Sequence, residues 1–151
     1  MKAGILIQSL GKDQKSIEIT REINKIEKLD KHWDIIVFYL NYNRMFLTPK
    51  FATMNMVESY GFDGPTISTN IHTTKILLNS TGPTRKIFYM WDLEWTNKIY
   101  NVKKLCSVYM NPQIDLVVRS DEHAEIVERY WKKPVATIEN FNYEQITKLL
   151  S

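Results

Sequence analysis

The sequence predicts an α/β fold, a Rossmann-like, doubly wound and mostly parallel sheet with helices on both faces. Three observations point there. Short apolar runs recur along the 151 residues (AGILIQ, DIIVFYL, KIFYMW, LVVR), and their continuous hydrophobicity suits strands covered on both faces. Between them lie segments whose apolar residues fall at helical spacing. The alternation of the two demands right-handed crossovers and hence parallel strands with two helical layers. Finally, the most apolar run, residues 86–91, stops abruptly at Asp92-Leu93-Glu94. That puts carboxylates at the carboxyl end of a strand, where open α/β sheets bind ligands.

The elements follow in order. Residues 3–8 (AGILIQ) form the opening strand, with Ser9-Leu10-Gly11-Lys12 as the loop at its carboxyl end. From Ser16 the period becomes helical: Ile19, Ile23, Ile26 and Leu29 share a face, while Glu18, Arg21, Glu22, Lys25 and Lys28 read as solvated. Residues 34–40 (DIIVFYL) are the second strand, ended by Asn41-Tyr42-Asn43. Residues 44–69 are the least regular. Pro49 interrupts them, residues 51–60 read as a short helix with Met54 and Val57 inward, and Gly61, Gly64 and Pro65 punctuate. Residues 66–69 (TIST) read as a short strand, and residues 71–79 as a helix closed by Gly82-Pro83.

After the central strand, residues 97–110 carry Val102, Leu105, Val108 and Tyr109 at roughly helical spacing and stop at Asn111-Pro112. Residues 116–119 (LVVR) are the next strand. Ser120 then reads as a helix N-cap, with Asp121 and Glu122 in the first turn, where the helix dipole favours negative charge. That helix runs to about Trp131. Residues 135–138 (VATI) form a last strand, and Asn142 with Gln145 makes a capping-box-like start to a terminal helix carrying Ile146, Leu149 and Leu150. Neither an internal repeat nor a linker divides the chain, so residues 1–151 read as a single Rossmann-like domain.

Composition narrows the function classes. A 44% hydrophobic and 25% charged chain with five glycines and five prolines is ordinary globular material. A net charge of +3 is compatible with a nucleic-acid partner but lacks the clustered basic face of a dedicated binder. Cys106 is the single cysteine, so no internal disulfide forms, and a cytoplasmic setting is expected. The N-terminal apolar run is too short for a signal peptide, and no window has the apolar length of a membrane span, so no membrane partner is expected.

Asp92 is the leading candidate for chemistry: a carboxylate at a strand's end is placed to take a proton from an acceptor hydroxyl, or else to cap a turn or pair with a lysine. Glu94 lies two residues on, but two carboxylates without a third ligand make a poor metal site, and His32, His72 and His123 have no ligand spacing, so no metal is expected. Gly11 and Lys12 occupy the loop where nucleotide-binding folds cradle phosphate, yet neither GxGxxG nor GxxxxGK[ST] is present. A small nucleotide or flavin binder is disfavoured on that ground. Arg119 ends a strand, where it can grip a phosphate or carboxylate. Ser120 reads as a cap rather than a nucleophile, for want of a G-x-S-x-G elbow. Trp91 is assigned to the core and Trp95 to the cleft.

The segment KIFYMWDLEW, followed by DLVVRSDEHAEIVERYWKKPVATIENFNYEQI, resembles the N-terminal half of GT-B glycosyltransferases, and is particularly similar to the phage DNA β-glucosyltransferases. The run Asn140-Phe141-Asn142-Tyr143-Glu144-Gln145 fits the same pattern. The resemblance implies that Asp92 is the general base of an inverting transfer from a nucleotide sugar. It further implies that Gly11, Lys12, Glu94, Trp95, Arg119 and Ser120 line the substrate cleft. No cofactor is implied beyond the nucleotide sugar as donor substrate. In that family a C-terminal domain makes most donor contacts, and the sequence stops where such a domain would begin. A separate C-terminal GT-B domain, or a homodimer in its place, is therefore the expected partner. A non-catalytic α/β binding or assembly module is the alternative.

Overall fold

The computed structural model describes residues 1–97 and 101–151. Its centre is a seven-stranded sheet in the order β3-β2-β1-β4-β5-β6-β7, and every neighbouring pair is parallel. The chain runs β1 (Lys2–Leu10), α1 (Gln14–Leu29), β2 (Asp34–Tyr42), β3 (Ala52–Asn55), a 3₁₀ turn (Met56–Gly61), β4 (Pro65–Ser68) and α2 (Ile71–Asn79). It continues with β5 (Arg85–Tyr89), α3 (Glu94–Asn97), α4 (Val102–Tyr109), β6 (Ile114–Val118), α5 (Asp121–Tyr130), β7 (Ala136–Thr137), a 3₁₀ turn (Glu139–Phe141) and α6 (Tyr143–Leu150). This is the expected Rossmann-like α/β architecture.

Both faces of the sheet are apolar because successive strand residues point to opposite sides. Ile5, Ile7, Ile35, Val37, Ile87, Tyr89 and Val117 join one core, with Ile19, Ile23 and Ile26 of α1 and Ile146 and Leu150 of α6. Leu6, Ile36, Phe38, Phe88, Leu116 and Val118 join the other, with Ile71 and Leu77 of α2, Leu105, Val108 and Tyr109 of α4, and Val127 of α5. Except for α3, each helix start is fixed by a short polar cap. Asp13 accepts from the Ser16 N–H, Asn70 from Thr73, Asn101 from Lys103, Ser120 from His123, and Asn142 from Glu144 and Gln145.

Four expectations are corrected. Residues 51–60 are not a helix: Ala52–Asn55 is an edge strand and Met56–Gly61 a 3₁₀ turn, with Met54 and Val57 exposed and Met56 buried instead. The cause is Asn55, whose side chain accepts from the Val57 N–H and starts the turn there. The expected helix over residues 97–110 begins only at Val102, capped by Asn101, and Val102 is exposed; part of that span lies outside the described residues. Glu22 is not solvated but buried, bonded to Lys25 and accepting from the Tyr143 N–H at 3.2 Å, which ties α1 to α6. The last strand keeps only Ala136 and Thr137, because the chain then turns beneath Tyr89.

Candidate functional site

The strand order reverses between β1 and β4, since β1 leads outward to β2 and β4 outward to β5. At such a switch point the loops part and leave a crevice at the carboxyl edge. A crevice of ≈ 240 Å³ lies there, lined by Gln8, Ser9, Asn41, Thr69 and Asn70, by Asp13, the N-cap of α1, and by Lys15 and Ser16 in its first turn. Its groups are mostly amides and hydroxyls tied to one another. The Asn70 amide donates to Gln8 Oε1 at 3.0 Å, the Asn43 amide to Ser9 Oγ at 3.2 Å, and the Thr69 hydroxyl to the Leu6 carbonyl at 3.0 Å.

The two helix N-termini at this crevice already hold the protein's own carboxylates. At α1, Asp13 Oδ1 accepts from the Ser16 N–H at 3.0 Å. At α2, Glu94 Oε1 accepts from the Ile71 N–H at 3.0 Å. Glu94, at the start of α3, thus supplements the Asn70 cap at the first N–H of α2. Oxyanions of a ligand would have to displace these groups to use the same N–H donors.

Gly11 has a different role from that of a phosphate-loop glycine. A Cβ here would stand 2.8 Å from Asn43 Cβ, so glycine lets the β1 and β2 ends approach, while its N–H donates to Ser16 Oγ at 2.7 Å. Gly11→Ala is expected to destabilise the fold by about 1–3 kcal/mol through overpacking, measured by urea unfolding. Lys12 is exposed and makes no hydrogen bond or ion pair among the described residues.

Asp92 lies beyond β5 and pairs with Lys15 of α1, Nζ to Oδ2 at 2.7 Å, the two side chains being 48% and 40% exposed. The pair bridges from the β1 side to the β5 side, over β4, at the crevice mouth. A contact this exposed contributes about 0–1 kcal/mol to stability. Lys15 carries no motif, so only its position in the first turn of α1, above the switch point, marks it.

Trp91 is buried as expected, but Trp95 is not a cleft residue. It packs edge-on to Tyr109 at 4.9 Å and Trp131 at 5.7 Å, on the α4–α5 side of the sheet. Ser120 is the cap that the sequence suggests, its Oγ accepting from the His123 N–H at 3.2 Å. Arg119 lays its guanidinium over the Trp91 ring at 4.8 Å, donating to the Trp91 carbonyl at 3.4 Å and to Asn140 Oδ1 at 3.3 Å. The structure therefore gathers Gly11, Asp92, Glu94 and Arg119 along one edge and leaves Trp95 out.

Tyr89 and the loop after β7 escaped the sequence reading. The Tyr89 hydroxyl donates to the Ile138 carbonyl at 2.7 Å and accepts from the Phe141 N–H at 3.0 Å. It thereby pins two consecutive non-glycine residues, Asn140 (φ 52°) and Phe141 (φ 54°), in the left-handed region. Burial pushes the phenol up to about 12, against smaller opposing effects of the Phe141 N–H and the Arg119 charge. A raised phenol pKa means that its contribution is complete below pH ~10 and declines as pH rises toward ~12, at about 1.4 kcal/mol per pH unit. Urea unfolding between pH 9 and 12 is expected to show this extra slope in the wild type and not in Tyr89→Phe.

Among the described residues no group of three or more His, Cys, Asp or Glu side chains could hold a metal ion, and no helix is long and apolar enough to cross a membrane. No protein-family model, curated protein or solved structure matches the chain.

Proposed function

We propose that this chain is the acceptor-side domain of a GT-B-like glycosyltransferase, with Asp92 as the base that deprotonates an acceptor hydroxyl. The observation that carries the reading is that each helix N-terminus beside the switch point already carries a carboxylate of the protein on one of its N–H groups. With Asp13 and Glu94 in the places a phosphate would take, the crevice favours a neutral, hydroxyl-rich ligand over a nucleotide. Its amides and hydroxyls both donate and accept, as sugar hydroxyls do. Asp92 stands at the mouth, with Oδ2 facing Lys15 and its half-exposed carboxylate open to an incoming hydroxyl. The donor nucleotide then belongs to a second domain, a separate chain or a partner copy, and bringing donor against acceptor is the larger part of the catalysis.

The Lys15–Asp92 pair favours a second reading, a non-catalytic binding module in which that contact is only structural. A thermal-shift panel tests the ligand class. A ligand that binds only the folded state at a hundredfold excess over Kd adds about 2.7 kcal/mol. Methyl glycosides are expected to raise the melting temperature and UDP alone to leave it unchanged. Stabilisation by UDP without any by neutral glycosides, or silence across the panel, contradicts the acceptor reading.

A further inference from the structure

A separate groove of ≈ 920 Å³ opens at the carboxyl edge, between α1, α6 and the loop after β7. Arg119, Ser120, Asn140, Asn142 and Gln145 line it, with Asp121, Glu139 and Glu144 among its acidic residues. Arg119 is its anomaly. A partly buried guanidinium is ordinarily matched by a carboxylate, as Arg85 is by Asp115 at 2.8 Å. None of the ion pairs among the described residues includes Arg119. Its acceptors are the Trp91 carbonyl and the Asn140 amide oxygen, both beyond 3.2 Å, with the Tyr89 hydroxyl in reach as well, and all three are neutral. Its Nε is sealed from solvent without any partner.

The groove is nevertheless built to hold that charge still. Trp91 supports the guanidinium plane, and Asn140 is held against it in a left-handed conformation that the Tyr89 hydroxyl enforces. Strained residues over-determined by their surroundings concentrate at ligand sites. We infer that this groove binds a small hydroxylated ligand carrying one oxyanion, a carboxylate or a phosphate, with Arg119 as its anchor. A planar guanidinium fork matches either group. Asn140, Asn142, Gln145 and Ser120 are at hand for hydroxyls, and the charged lining is mixed, with Lys25 and Lys148 beside the carboxylates. The inference stands on Arg119 and its groove and does not require Asp92 to be a base.

Isothermal titration of the chain with glucose 6-phosphate, glucuronate, inorganic phosphate and glucose, beside Arg119→Gln and Arg119→Lys, tests it. The wild type is expected to bind one or both of the anionic sugars at least tenfold more tightly than glucose, and more tightly than inorganic phosphate. Preference for glucose 6-phosphate assigns the oxyanion as phosphate, and preference for glucuronate as carboxylate. Arg119→Gln is expected to lose at least tenfold in affinity, and Arg119→Lys to recover part of it, with circular dichroism confirming that both are folded. Unchanged affinity in a folded Arg119→Gln, equal binding of glucose, equal binding of inorganic phosphate, or no binding at all overturns the inference. Methyl glycosides report on the crevice and anionic sugars on the groove, so failure of one reading is visible separately from failure of the other.

Discussion

Asp92→Asn, in an assembly that supplies the donor site, is expected to lower glycosyl transfer about 10²–10⁴-fold, the ordinary range for removal of a general base. Its effect on stability is expected to stay within about 1 kcal/mol, because the contact it weakens is an exposed pair with Lys15. The substitution keeps the shape of the side chain and removes its capacity to take a proton. Radiolabelled transfer and urea unfolding on the same preparations separate the two effects. Full transfer in a folded Asp92→Asn protein removes Asp92 from the chemistry and leaves it as the lysine partner of the second reading.

Phe141→Ala is expected to produce the largest loss of stability, about 3–5 kcal/mol. Phe141 is wholly buried, edge-on to Tyr89 at 4.9 Å and tilted against Trp91 at 6.4 Å. Truncation opens a cavity between sheet and loop, while the left-handed backbone at φ 54° stays unfavourable for alanine. Its ring and the Tyr89 hydroxyl together hold the loop in that conformation. Arg119 should feel the change too, since Asn140, the preceding residue, accepts from its Nη2. Urea unfolding with an unchanged m-value measures the loss. A change below 1 kcal/mol contradicts the view that the loop after β7 is fastened by the core.

The sheet was legible because its signal is local. Runs such as DIIVFYL are apolar at every position, and a strand buried on both faces needs just that pattern. Caps were legible for the same reason: Ser120 and Asn142 act within three residues of themselves. Edge strand β3 was hidden because all four of its residues are exposed, so no burial pattern marks Ala52–Asn55. At the candidate site, Asp92 and Arg119 could be picked out by their places at strand ends. Their partners could not, since Lys15 and Asn140 meet them only through the topology, 77 and 21 residues away in sequence. Glu94 shows the limit most clearly. Its position beside Asp92 suggests a ligand-binding carboxylate, and its bond to the Ile71 N–H, 23 residues back, is set by the topology and has no mark in the sequence.

The most direct test of the account is a residue-resolved titration of the ¹⁵N-labelled chain, first with methyl glucoside and then with UDP. The account expects methyl glucoside to shift the side-chain amides of Gln8, Asn41 and Asn70 and the backbone amides around Asp92. UDP should leave the amides of Ser16 and Ile71 in place, because Asp13 and Glu94 already occupy them. Shifts at Ser16 and Ile71 with UDP, and none in the crevice with the glycoside, would mark a nucleotide site and contradict the acceptor-side reading.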